Sequence, residues 1–204
     1  MKALARFVVI ATLATAMPVP TGLQANAAVP VPSVESSAGA TIVSQSDNAA
    51  PLVGVDIVVR AGLDRQTMKQ NGLAALVAQT ILRTPVSATS GSAPLPLEEA
   101  IASRGGSVHF TVDPSDVRFY LESLPSDAGA IVDLFRTALA APDFSPATIR
   151  DARASLVRQI AQSQQVALQV GIDMLNAASS SQGNTGMPEL GTPASLAQLF
   201  SNDA

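Results

Sequence analysis

Two histidines one helical turn apart, or a mixture of histidine, cysteine and carboxylate, would let a chain hold a metal ion. A serine on a sharp elbow, with a histidine and an acid, would give it a nucleophile. This chain has one histidine, His109, and no cysteine. It cannot assemble a two-histidine or a cysteine-ligated metal site from its own residues. No G-x-S-x-G stretch accompanies the available Ser, His and Asp, so a serine hydrolase is not indicated. The Gly105-Gly106 pair lacks the lysine and the strand–loop–helix setting of a phosphate cradle. Asp113 and Asp116 offer paired carboxylates, but they flank Pro114 and Ser115 and read more readily as turn formers.

The whole chain narrows the classes further. Its 204 residues are enough for one domain with a real core. Apolar residues make up 47% and charged ones 14%, too apolar a balance for wholesale disorder. Net charge is −4, and the arginines between Arg150 and Arg158 are interrupted by Asp151 at helical spacing. That is a solvated helix face, not the clustered basic surface of a nucleic-acid binder. At the N-terminus, Lys2 and Arg6 precede an apolar run over residues 7–17, which Pro18 and Pro20 end. The run is too short to span a bilayer, and Ala25-Asn26-Ala27 is a small-x-small cleavage signal. Residues 1–27 therefore read as a removable signal peptide, the alternative being an uncleaved anchor. The mature chain is expected in the periplasm or secreted, within or beyond a bacterial cell envelope. It has no further segment suited to crossing a membrane.

Elements that could position a site follow from periodicity. Residues 28–38 are Pro- and Ser-rich without a period and read as a flexible linker. Residues 40–46 form a short strand. Residues 52–62 form a second, in which Val53, Val55, Ile57 and Val59 share a face, and the two are expected to pair. Leu73, Leu76, Val77, Thr80 and Ile81 mark a helix over 72–84. A short helix follows a flexible loop and is closed by Gly105 or Gly106. Residues 107–112 and 116–124 form two strands around the Asp113–Pro114–Ser115 turn. A helix spans 126–141. Ser145 caps another, with Pro146 at its first position, running to about Ala178 with a break near Gly171. A last short helix covers 195–200. The order β-β-α-α-β-β-α-α predicts an α+β fold, a largely antiparallel sheet with helices layered on it.

Four collinear blocks carry a resemblance. They are "VVRAGLDRQTMKQNGLAALVAQTILRTP", "IASRGGSVHFTVDPSDVRFYLESL", "LFRTALAAPDFSPATIRDARASLVRQI" and "MPELGTPASLAQL". Over residues 39–204 the chain resembles the N-terminal half-domain of the pitrilysin/insulinase metallopeptidases, the family of the mitochondrial processing peptidase. The resemblance implies that the half-domain continues past Ala204 with a further strand and helix, so residues 39–204 read as an incomplete half-domain. It also implies a second repeat that closes a chamber over the peptide.

Active members carry the inverted zinc motif H-x-x-E-H on the first helix, with a third ligand from a later helix. The resemblance places those positions at Ala75, Ala78 and Gln79, with the distal ligand at Gln159 and a supporting acid at Ala152. Alanine offers no ligand atom, and a neutral amide is a poor zinc ligand beside imidazole or carboxylate. No catalytic residue, metal site or cofactor is expected. The resemblance further implies an edge strand that takes up peptide by strand addition, where His109 and Phe110 either contact peptide or are ordinary strand residues. The leading reading is the zinc-free partner of a zinc-bearing peptidase subunit of the same family, helping to bind a peptide substrate. A truncated or decayed fragment and a stand-alone peptide-binding module are the alternatives, and an active zinc metalloendopeptidase is a weaker one. The neighbours of this reading in the chemistry are plain: peptide in, no nucleic acid, no membrane span.

Overall fold

The computed structural model describes residues 7–13, 32–37, 40–46, 51–88, 93–179 and 186–200. Alternation builds the centre of the sheet. Strands β1 (Phe7–Leu13), β2 (Ser33–Ser37), β3 (Ala40–Gln45) and β4 (Val53–Val59) are followed, after helical segments, by β7 (Ser107–Val112) and β8 (Val117–Ser123). In β8, Val117, Phe119, Leu121 and Ser123 are buried while Arg118, Tyr120 and Glu122 are exposed. One face of the sheet is therefore core and the other is wet. A two-residue pair, β5 (Pro85–Val86) with β6 (Leu95–Pro96), lies apart from it.

The six strands run in the order β2-β3-β1-β4-β8-β7, and β1 with β3 is the parallel pair among antiparallel ones. Helices α1 (Leu73–Arg83), α2 (Leu97–Ala102), α3 (Ala128–Ala140), α4 (Pro146–Ser163), α5 (Ala167–Ser179) and α6 (Pro193–Gln198) complete the chain. The core joins Val53, Val55, Ile57, Phe119 and Leu121 of the sheet to Leu76, Ile101, Ile131 and Phe135 of the helices. This is the α+β arrangement expected from the order of elements, with helices on one face of a largely antiparallel sheet.

Several local expectations are corrected. The strand at residues 40–46 does not pair with β4, because β1 lies between them. Alternation fixes which face a residue takes but not which strand stands beside it. The stretch 28–38 is not wholly linker, since Ser33–Ser37 pairs with β3 and Ser33 Oγ lies 2.6 Å from Ser44 Oγ; residues 28–31 and 38 lie outside the described residues. Of the expected leader, Phe7–Leu13 is a sheet strand, and residues 1–6 and 14–27 lie outside the described residues. The long C-terminal helix breaks at Gln164–Gln165–Val166 rather than at Gly171, which sits inside α5. There the Val166 amide turns back to the Ser163 carbonyl at 3.0 Å, a tightened last turn that redirects the chain.

Local chemistry fixes the ends that matter for the site. The free amides at the start of α1 meet a side chain: Leu73 N donates to Gln66 Oε1 at 3.0 Å, with Gln66 only 4% exposed. The expected cap of α4 forms, with Ser145 Oγ accepting from Thr148 N and Pro146 in the first turn. Gly72 and Gly191 sit back to back with φ of +89° and +78°, and a Cβ on Gly191 would stand 2.8 Å from the Cα of Gly72. This contact seats the loop before α6 against the start of α1.

Candidate functional site

Helices α1 and α4 pack on each other, and their contact carries a short polar ladder. Gln159 Nε2 donates to Gln79 Oε1 at 3.2 Å. One turn along both helices, Arg83 Nη2 reaches Ser155 Oγ at 3.4 Å and Glu98 Oε1 at 2.9 Å. The pairs 79 with 159 and 83 with 155 run in opposite senses, so the helices cross antiparallel. Gln79 is 1% exposed, whereas Gln159 is half-buried at the rim of an open cavity.

That cavity holds about 360 Å³. Three elements form it: Phe110, Thr111 and Val112 of β7, Gln159, Ile160 and Ser163 of α4 with its C-cap Gln164, and the loop from Pro188 to Pro193. Strand β7 is the edge of the sheet, with β8 on one side and no described strand on the other. An extended peptide can add to such an edge through main-chain hydrogen bonds, with the cavity receiving a side chain. The loop from Pro188 is held by Gly191 against Gly72 and by Thr192, which caps α6 reciprocally with Ser195. Sequence reasoning assigns no role to this loop or to Ser163 and Gln164, although the Gly191-Thr192-Pro193 cap signature stands in it.

The positions singled out in the sequence are distributed unevenly. Gln79 and Gln159 are in contact. Ala75 and Ala152 are both fully buried, on α1 and α4 respectively, where their size lets the helices close up. Ala78 turns the other way. It lines an apolar hollow of about 330 Å³ between α1 and the sheet, with Val59, Val77 and Phe119 among its walls. His109 and Phe110 are also parted by alternation. Phe110 is half-buried on the cavity side, its ring centroid 6.3 Å from that of Phe119. His109 is exposed on the opposite face with its ring 5.0 Å from that of Tyr120. It does not line the cavity.

Asp113 and Asp116 form the β7–β8 turn, where Asp113 N donates to Asp116 O at 2.8 Å. Arg118 Nε lies 3.0 Å from Asp116 and 3.3 Å from Asp113, and the hydrogen bond and charge of Asp116 raise the arginine's pKa further. Both carboxylates are committed to that cation and face away from the cavity. The turn also serves packing: Gly62 lies so close beneath it that a Cβ would stand 2.4 Å from Asp116 N.

The fold carries a zinc expectation, and the residues present do not fit it. A zinc ion needs three or four nitrogen, sulfur or anionic oxygen donors. The position between α1 and α4 offers two neutral amides that satisfy each other and two methyl groups. Among the described residues, no three His, Asp or Glu side chains converge as a metal-holding group.

A family model for insulinase, peptidase family M16, matches residues 41–192. The chain belongs to that family. Solved structures share the fold: a peptidase M16 inactive domain from Pseudomonas fluorescens superposes with a TM-score of 0.63 at 14% identity, over 81% of this chain and 40% of that one. Pitrilysin gives 0.62 at 20% identity, over 76% of this chain and 16% of that one. Complex III2 from Candida albicans gives 0.56 at 16%, over 79% and 35%. The chain thus spans 40% or less of the length of these structures. No curated protein matches it in sequence.

Proposed function

We propose that this M16-family chain is non-catalytic and binds peptide along the edge of β7, beside a zinc-bearing subunit of the same family. The observation that carries the reading is the amide pair: Gln159 bonded to Gln79 stands where the family places metal ligands, at the rim of a cavity that a free sheet edge borders. A sheet edge beside a cavity supports the peptide-binding reading, and two mutually bonded amides in place of ligands support the non-catalytic one. On this reading residues 1–27, β1 among them, are removed as a leader, and the mature chain works in the periplasm or outside a bacterial cell.

The test is co-expression with a zinc-bearing M16 subunit from the same genome. Size-exclusion chromatography should give one complex, and each fraction is assayed for peptidase activity. The complex should cleave peptide faster than the zinc subunit alone. If the chains elute apart and the zinc subunit is equally active by itself, the partner role fails. Peptide titration of the isolated chain then separates a stand-alone binding module, which binds, from a decayed fragment, which does not.

A further inference from the structure

Helix α5 turns its apolar side outward. By helical spacing Leu168, Gly171, Ile172 and Leu175 fall at i, i+3, i+4 and i+7, one continuous stripe. In α1 and α3 the apolar stripe is core, and Leu76 and Phe135 are almost wholly buried. In α5 it faces solvent, with Leu168 74%, Leu175 67% and Ile172 41% exposed, and Met174 beside it at 68%. Among the described side chains of this helix, only Val170 is half-buried, and helical spacing sets it opposite the stripe. The exposed apolar side chains together present on the order of 400 Å², the size at which a surface patch marks an interaction site.

A bilayer surface is a poor occupant, because an interfacial helix carries Lys or Arg on its polar face and α5 has neither. The stripe instead matches itself. We propose that α5 pairs with α5 of a second copy of this chain, antiparallel, about a two-fold axis between Gly171 and Ile172. That axis sets Leu168 against Leu175 of the second copy at both ends, and Ile172 over the second copy's Gly171 in the middle. An isologous contact requires such self-complementarity, in which residue i meets j and j meets i. A Cβ on Gly171 would meet nothing within 4 Å, so the gap left by the glycine is open to a side chain from outside. Parallel pairing would stack Ile172 on Ile172 and face one Gly171 with the other, leaving a space with no contacts. The stripe supplies about half of the ~800 Å² per partner that a standard interface buries. The dimer is therefore weak, with a dissociation constant in the micromolar range. The inference does not depend on the peptide-binding reading.

Sedimentation equilibrium of the full chain, from micromolar to submillimolar concentration, tests the pairing. The parent should pass from monomer to dimer and stop there. Leu168→Lys or Leu175→Glu alone should weaken the dimer about tenfold or more, since each sets a charge against a leucine. Both side chains are exposed in the single chain, so neither change should alter its melting temperature. The two changes together set lysine against glutamate across the axis and should recover most of the loss. Gly171→Leu should leave the melting temperature unchanged or higher, the site being open and leucine the better helix former, yet weaken the dimer about tenfold or more. A parent that stays monomeric over the whole range overturns the proposal. A double variant no better than the single ones also overturns it, because the helices then do not meet antiparallel in this register. Association that runs past the dimer, or that ignores Gly171→Leu, overturns it as unspecific apolar contact.

Discussion

Gln159 on α4 donates its amide hydrogen to the amide oxygen of Gln79 on α1, 80 residues earlier, across 3.2 Å. Neither side chain titrates, so the bond is indifferent to pH. Gln79 is almost wholly buried, and its partner shields it at the cavity rim. Removing one member should cost more than removing both. Gln79→Leu or Gln159→Leu alone is expected to lower stability by about 1–2 kcal/mol, and the double leucine variant to lie within about 1 kcal/mol of the parent. Urea denaturation of the four proteins measures the coupling. Strictly additive losses would mean that the bond carries no stability.

A second prediction concerns metal. Ala75→His with Gln79→His puts two imidazoles on one face of α1, and Gln159→Glu adds an anionic oxygen. Ala75 is fully buried, so the larger side chain should destabilise the metal-free variant by about 1–3 kcal/mol. Zinc should then raise the melting temperature of the variant and leave that of the parent unchanged. Activity is not expected to return, because Ala78, left unchanged, offers no group that could take a proton from a bound water. Equal melting temperatures with and without zinc in the variant would show that these positions do not converge.

The edge strand makes a sharp distinction between neighbours. Phe110→Ala removes a cavity wall and should weaken peptide binding about tenfold, roughly the effect of 1.4 kcal/mol. His109→Ala, on the other face, should leave it within about twofold. Fluorescence anisotropy with a labelled peptide measures both. A larger loss from the histidine variant would place the peptide on the wrong side of the strand.

Gly191 holds the cavity loop by its backbone. A side chain there meets both a positive φ and the Cα of Gly72 at 2.8 Å. Gly191→Ala should cost about 2 kcal/mol or more, from the left-handed conformation together with the clash. Thermal unfolding reads the loss, and a variant as stable as the parent would disprove the close seating.

Asp143 predicts a pH dependence. Its Oδ2 accepts from Thr148 Oγ1 at 2.5 Å and from Ser145 Oγ at 3.0 Å, and Oδ1 accepts from Ser145 N. The Thr148 hydroxyl first, then the Ser145 amide, hold its pKa below the ordinary carboxylate value. A lowered folded-state pKa stabilises the protein fully above the unfolded value, and the contribution is lost as pH falls through the folded one. Asp143→Asn should therefore cost about 1 kcal/mol at pH 7 and less at pH 2. Urea midpoints at the two pH values check it, and equal losses at both would refute the charge's role.

Much of this arrangement was legible in the sequence, for identifiable reasons. Helix α1 and the Ser145–Pro146 cap follow from spacing and local hydrogen bonding alone, and the sheet faces of β4 and β8 follow from alternation. The neighbour of β4 was not legible, because pairing is a long-range choice and the apolar run over residues 7–17 is as good a strand former as any core segment. Gly171 looked like a helix break, but a Cβ there would meet nothing within 4 Å, so the residue is tolerated in α5. The opposite faces of His109 and Phe110 could have been read from strand period. The cavity itself could not, because it forms from three segments that meet only in space.

Tyr120 is the single tyrosine of a chain with no tryptophan. Its ring stacks at a tilt on His109, across the two outermost strands, and burial and Glu122 hold its hydroxyl above the ordinary pKa. The tyrosine emission of the whole protein, which lies to the red of that of its six phenylalanines, therefore comes from one ring beside the edge that a peptide would extend. The molecule carries a built-in optical reporter at that border, readable without any label.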